Sequence, residues 1–154
     1  MGRTMKRQAL VVILVSLGVG AQNVGDAVQR ERKKFEGTWK ADTIIVNGKL
    51  LGPESADGMV TWDINGNWKQ HVSDGKPAYS GVSAIEPTGK LKTLDLVITS
   101  RGDKAGKAVF AIYEFIDKDT YKICYAVPGR DRPKDFSAKE GSNRSLCTMK
   151  KCEA

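Results

Sequence analysis

The stretch MVTWDINGNWKQHV, residues 59–72, sets the expectation for the fold of this chain. Its apolar residues alternate with polar ones, so that Val60 and Trp62 fall on the same side of an extended strand. Asn65-Gly66 follows, and both residues adopt positive φ easily, which is the strongest short-range signal of a β-hairpin. The stretch therefore predicts two antiparallel strands with one buried face and one solvated face.

The same pattern of short alternating runs and turn residues continues along the chain. The predicted strands span residues 38–46, 59–64, 67–72, 78–86, 91–99, 107–116, 120–126 and 144–150. Further hairpin signals stand at Asn47-Gly48 and Asp74-Gly75. Sequential hairpins predict an all-β, up-and-down sheet. A sheet of about eight strands can close into a barrel whose interior holds either side chains or one small ligand. A two-sheet sandwich is the alternative.

The first 21 residues have the order of a secretory signal peptide. Three basic residues precede the apolar run at residues 9–20, and small residues follow up to Ala21. A second cleavage position follows Ala27. An uncleaved membrane anchor is the alternative, but the apolar run is shorter than the roughly 20 residues that span a bilayer.

This division predicts three segments: a signal peptide at 1–21, a polar linker at 22–34, and a barrel domain at 35–154. Cleavage after Ala21 lowers the formal net charge from +7 to +4. We expect a secreted or periplasmic protein with no stable membrane insertion after cleavage. The basic residues are scattered among acidic ones, which argues against a nucleic-acid partner.

The three cysteines, Cys124, Cys147 and Cys152, allow two interpretations in an exported protein. One is a disulfide with one leftover thiol, and the other is small core residues. A metal site is disfavoured because no Cys-x-x-Cys pair occurs and His71 is the only histidine.

Motifs of catalysis are missing from the sequence: it contains no nucleophile elbow, no phosphate-binding glycine loop and no His-Glu-x-x-His. Asp63, Asp95 and Glu114 could meet inside a barrel, but scattered strand carboxylates are more often structural. We therefore expect a protein that is not an enzyme, with no catalytic residues, no bound metal and no cofactor.

Gly37-Thr38-Trp39, at the start of the first predicted strand, resembles the Gly-x-Trp motif of the lipocalins. In that group the tryptophan closes the barrel bottom and a basic residue of the last strand packs on it. The resemblance implies that Lys150 or Lys151 takes this place beside Trp39.

Longer matches extend the resemblance over residues 35–151. GTWK, TLDLVIT, AIYEF, DTYKIC and GRDRPKDFSAKEGS occur in that order, and together resemble a lipocalin-like domain family of exported proteins, common in planctomycete bacteria and without an assigned function. The matching positions are Gly37, Trp39, Asp95, Ile112, Tyr113, Glu114, Cys124, Arg132, Pro133 and Phe136. The last strand departs from the family, with Met149-Lys150-Lys151 before Cys152.

The charged stretch between Cys124 and Cys147 is expected to pack as an Ω-type loop that closes one end of the barrel. Phe136 would anchor it by burying its ring, and Arg132 would pair with an acid or with carbonyl groups beneath. A ligand-gating lid is the functional alternative.

These observations predict an eight-stranded antiparallel up-and-down lipocalin-like barrel. The first functional hypothesis is a small apolar ligand held inside it, with Trp62, Phe110 and Tyr113 as candidate lining residues. The alternative is a structural or protein-interaction module of the cell envelope, in which such side chains fill the interior. The sequence identifies no protein partner.

Overall fold

The computed structural model of the chain describes residues 16–51, 58–71 and 77–153. These residues contain one helix and nine strands. The elements are α1 (Ser16–Phe35), β1 (Gly37–Val46), β2 (Lys49–Leu51), β3 (Met59–Trp62), β4 (Asn67–His71), β5 (Pro77–Glu86), β6 (Lys92–Ile98), β7 (Ala108–Asp117), β8 (Thr120–Ala126) and β9 (Arg144–Lys151).

Eight of the strands close into an antiparallel up-and-down barrel, as the sequence predicts. Each strand from β3 to β8 pairs with the next along the chain, and β1 pairs with both β3 and β9. This closure excludes the sandwich, because a closed barrel leaves none of its eight strands as a free edge. The architecture is the lipocalin-like all-β fold.

Two of the three hairpin signals, Asn47-Gly48 and Asn65-Gly66, lie at turns between paired strands. Asn47 and Gly48 have φ values of 49° and 86°, and they lead into the three-residue strand β2, which pairs on the edge of β1 and was not predicted. The turn between β3 and β4 is held by Asp63, whose carboxylate accepts hydrogen bonds from the amides of Asn65 and Asn67. Asp74-Gly75 lies outside the described residues.

The expectation of a polar linker at 22–34 is wrong, because α1 runs through these residues and docks on the barrel. The helix has no apolar stripe, and so its sequence gives little sign of packing. Contact is instead concentrated at the last turns of α1, in Glu31, Arg32 and Phe35. Arg32 Nη2 donates to the Ser83 carbonyl at 3.0 Å.

Glu31 is a buried carboxylate, 4% exposed, that ties α1 to the barrel. It accepts hydrogen bonds from Lys92 Nζ at 2.8 Å and from the Tyr113 hydroxyl at 3.2 Å, and Lys34 Nζ lies 3.0 Å away. Burial by itself raises the pKa of Glu31, but the bonds and charges of Lys92 and Lys34 outweigh it, so the pKa lies below the usual 4.5.

We expect Glu31→Gln to lower the free energy of unfolding by about 1–2 kcal/mol near neutral pH, because charge-assisted hydrogen bonds are lost and two partners are partly solvated. A depressed pKa stabilises the fold above pH 4.5, and this contribution disappears as the pH falls through the folded-state pKa. Urea unfolding between pH 6 and 3 should therefore show the variant converging on the wild type. Glu36→Gln, at an exposed position, is the control. A gap that stays constant with pH would contradict this assignment.

The loop between β8 and β9 does not close an end of the barrel as expected; it folds back along the outer wall. Arg132 reaches across β6 and β7, where its guanidinium lies 2.6 Å from Asp95 Oδ1 and 2.9 Å from the Ala111 carbonyl. Pro133 is fully buried, whereas the ring of Phe136 is only half-buried, 4.4 Å from Lys122 Nζ. Arg132 and Pro133 therefore anchor the loop more than Phe136 does.

Arg132→Ala should lower the free energy of unfolding by about 1–2 kcal/mol, since it removes a charged donor from Asp95 and from a carbonyl group. Arg130→Ala, at an exposed position in the same loop, should leave the urea midpoint nearly unchanged. A loop that acts as a mobile lid makes the opposite prediction, namely equal midpoints for the two variants.

Candidate ligand cavity

The interior of the barrel is divided into an aromatic floor and a cavity above it. The aromatic floor consists of Phe35, Trp39, Tyr113, Phe115 and Tyr121. It lies where β1 begins and α1 ends, so that the last residue of the helix seals this end of the barrel.

Phe35 is the centre of the aromatic floor. Its ring centroid lies 5.0 Å from Tyr113, 4.9 Å from Phe115 and 5.1 Å from Tyr121, each in an edge-on arrangement. Edge-to-face pairs of this kind contribute about 0.5–1.5 kcal/mol each beyond the area they bury. The floor is therefore a tightly packed plug that leaves little room for a ligand.

Trp39 occupies the place that the lipocalin resemblance implies. Its side chain is fully buried, its indole N–H donates to the Phe35 carbonyl at 2.7 Å, and Lys151 Nζ lies 5.4 Å from the ring centroid. Gly37 has a φ of 120°, and a Cβ there would stand 3.1 Å from Lys151 Cε. A glycine at this position thus leaves the lysine space to cross Trp39.

Above the floor lies a cavity of about 360 Å³. This volume is at the small end of ligand sites, which span roughly 300–1,000 Å³. Its walls are mostly apolar and aromatic: Ala41, Ile44, Val60, Trp62, Trp68, Tyr79, Leu96, Ile98, Val109, Ile123 and Met149. Met59, Lys104, Val127 and Pro128 line it toward the end where β3 begins, and the 47% exposure of Val127 places the mouth there.

A few polar groups also line the cavity, and those in its interior are neutral. Burial raises the pKa of the Cys147 thiol to about 11 and also raises the pKa values of Tyr121 and Tyr125. These three side chains therefore carry no charge near neutral pH. The remaining polar lining residues are Gln70 and, at the mouth, the cationic Lys104.

The three candidate lining residues lie in three different parts of the barrel. Trp62 lines the cavity, as expected. Tyr113 points inward but belongs to the aromatic floor, and its hydroxyl bonds to Glu31. Phe110 faces the outside, where its ring lies 5.2 Å from the Arg132 guanidinium, so its expected interior position is wrong.

Phe110 was misplaced because β7 is apolar on both faces. Val109, Ala111, Tyr113 and Phe115 point inward, while Phe110 and Ile112 point outward; Ile112 is buried, and Arg132 of the β8–β9 loop lies over the Phe110 ring. The lining residues Leu96, Ile98 and Tyr125 could have been found from the alternation of β6 and β8.

The candidate carboxylates do not meet. Asp63 holds a turn, Asp95 pairs with Arg132 on the outer wall, and Glu114 pairs with Lys122 at 2.9 Å, also outside. No set of three His, Cys, Asp or Glu residues suited to a metal occurs within 16–51, 58–71 and 77–153.

All three cysteines are free. Cys147 lines the cavity, whereas Cys124 lies on the opposite face of the sheet, where its thiol donates to the Ser137 carbonyl at 3.4 Å. Because neighbouring strands present these two side chains to opposite faces, they act as small core residues, one of the two interpretations that the sequence left open.

Comparison of the chain with protein-family models, with curated proteins and with solved structures finds no match. In the part of the chain that the structure describes, no helix is both long and apolar enough to cross a bilayer. The fold and the cavity are therefore the basis on which a function can be argued.

Proposed function

We propose that this protein is an exported, non-enzymatic lipocalin-like binding protein that holds a small apolar ligand in its barrel. The observation that carries the proposal is the cavity of about 360 Å³ above the aromatic floor. Apolar walls with a few placed polar groups are typical of small-molecule sites, and a filled interior would suit the alternative of a purely structural module. Burial raises the pKa values of Cys147, Tyr121 and Tyr125 and keeps these groups protonated, which suits a neutral apolar ligand group beside them.

The proposal includes export to the periplasm or the exterior. Residues 1–15 lie outside the described residues, and α1 begins at Ser16. Cleavage after Ala21 would leave Glu31, Arg32 and Phe35, the docking contacts of α1, in the mature protein. N-terminal sequencing of the mature protein tests this part of the proposal, and an intact Met1 in a cytosolic fraction would contradict it.

The proposal also keeps the relationship to the planctomycete lipocalin-like family. It is supported by the way the marker residues meet: Arg132 pairs with Asp95, and Pro133 is buried beside them. Markers from distant parts of the sequence thus form one contact on the outer wall.

A cavity-filling substitution tests ligand binding. Val109 lines the cavity, and Val109→Trp would place a large ring inside it. The matched control is Val82→Trp, at a valine on the outer face of β5 that is 45% exposed. Both variants should keep the circular dichroism spectrum of a β-barrel.

The readout is mass spectrometry of small molecules extracted from natively purified protein. Wild type and Val82→Trp should release the same apolar compound, and Val109→Trp should retain at most about a tenth as much, since a filled site loses its contacts with the ligand. Equal amounts from all three proteins would show that the compound is held elsewhere and would contradict the proposal.

A further inference from the structure

The mouth of the apolar cavity carries one cationic side chain, that of Lys104. Among the described residues that line the cavity, it is the one side chain that is either cationic or anionic. Its Nζ lies 4.9 Å from the ring centroid of Tyr79, another lining residue, so the ammonium group stands over the cavity wall. None of the ion pairs among the described residues includes Lys104. In this part of the chain, the mouth therefore has a positive charge that no carboxylate pairs with.

The backbone fixes the turn that carries Lys104, residues 99–107 between β6 and β7, to the neighbouring strand β5. The amide of Ser100 donates to the Ser80 carbonyl at 3.1 Å, and the Ser100 hydroxyl accepts from the Ser80 amide, also at 3.1 Å. Ser80 follows Tyr79 in β5, so the turn is tied beside the ring that the ammonium group faces. The attraction between an ammonium group and an aromatic face further favours this position of Lys104.

The interior of the cavity offers no comparable place for a charge. Its described walls are apolar or carry neutral polar groups, and the aromatic floor closes its deep end. An ionised group without a partner is strongly unfavourable in such surroundings, because it loses its hydration. A ligand that fits this cavity therefore has an apolar body inside the barrel, and any charge that it carries lies at the mouth.

Resting on the proposed function, we infer that the ligand is a small amphiphile whose anionic head group, such as a carboxylate, pairs with Lys104 at the mouth of the cavity. Its apolar body extends from there along Leu96, Ile98 and Val109 toward the aromatic floor. An ammonium group and an oxyanion form a charge-assisted hydrogen bond, which is stronger than a bond between neutral groups. A cationic head group is disfavoured, because it would meet Lys104 and no acidic side chain in the described lining.

The test compares octanoate with octanamide, which have the same chain and differ in the charge of the head group. Their dissociation constants are measured by calorimetry in about 0.15 M salt, where charges more than about 8 Å apart are largely screened. The proteins are the wild type, Lys104→Met, Lys104→Arg and Lys107→Met. Lys104→Met keeps an unbranched side chain and removes the charge. Lys107→Met removes the same charge from an exposed position of the same turn.

We expect the wild type to bind octanoate more tightly than octanamide, and Lys104→Met to weaken octanoate binding about tenfold relative to octanamide, the equivalent of one charge-assisted hydrogen bond. Lys104→Arg keeps the charge and should leave the ratio of the two dissociation constants within about threefold of the wild type. Lys107→Met should leave it within about twofold. Using the ratio cancels changes in the shape of the mouth, which affect both probes.

Other outcomes separate this inference from the proposed function. If both probes bind but the ratio is the same in all four proteins, or changes as much in Lys107→Met as in Lys104→Met, the head group does not pair with Lys104 and the binding function stands. If octanoate binds Val109→Trp, in which the cavity is filled, as tightly as the wild type, the probe lies outside the cavity and the inference is wrong. If neither probe binds the folded wild type, both the proposed function and the inference are overturned.

Discussion

Replacement of Trp39 by alanine should lower the free energy of unfolding by about 3–5 kcal/mol, the range for deleting a large buried aromatic side chain. The ring is fully buried and lies edge-on to Tyr121, with centroids 4.8 Å apart. The substitution also leaves the Phe35 carbonyl without its donor and Lys151 without the ring beneath it. A loss of this size is a large part of the 5–15 kcal/mol that stabilises a typical domain.

Urea unfolding followed by circular dichroism measures this effect. Ile116→Ala is the control, because Ile116 is a strand residue with 59% exposure and should change the midpoint little. Trp39→Phe should fall between them, since it keeps most of the ring and loses the hydrogen bond. If Trp39→Ala cost less than about 1 kcal/mol, Trp39 could not be the closing residue of the aromatic floor.

Phe35→Ala should have an effect of similar size, again about 3–5 kcal/mol. Phe35 is 2% exposed and contacts rings from β3, β7 and β8, so its removal opens a hole at the centre of the floor. It is also the one buried apolar side chain of α1 between residues 22 and 35. In the Phe35→Ala variant, α1 should therefore lose its main packing contact with the barrel.

Hydrogen exchange distinguishes the loss of the helix contact from a general loss of stability. In Phe35→Ala, amides of residues 28–35 should exchange faster than expected from the global unfolding free energy. Val24→Ala, at an exposed position of the same helix, should leave both stability and exchange unchanged. Protection of α1 that simply follows global stability would contradict the view that Phe35 docks the helix.

The barrel was predictable from the sequence because its signals are local. Alternation in residues 59–64 and 120–126, together with hairpin turns, reports which face of a strand is buried without reference to the rest of the chain. The docked helix was not predictable in this way. It is held by one ring, Phe35, and by polar contacts of Glu31 and Arg32, which form only when the barrel is present.

The site was predictable only in part. The inward position of Trp62 follows from alternation. The division of the interior into floor and cavity depends instead on how Phe35, at the end of α1, packs between the strands. The side chain of Phe110 was assigned to the wrong face of β7. Residues on both faces of this strand are apolar, so its sequence does not alternate between apolar and polar residues and does not show which face lies inside the barrel. The partner of Arg132 is Asp95, 37 residues away, which spacing alone does not reveal.

Uptake of an apolar ligand by the cavity above the aromatic floor can be observed through nuclear Overhauser effects between the protein and indane, a small bicyclic hydrocarbon. We expect saturable binding, with transfer from indane to the methyl groups of Leu96 and Ile98 and to the ring of Trp62, which line the cavity. Transfer only to exposed methyl groups, such as those of Val82 and Ile116, would place indane on the surface and show that the cavity does not take it up.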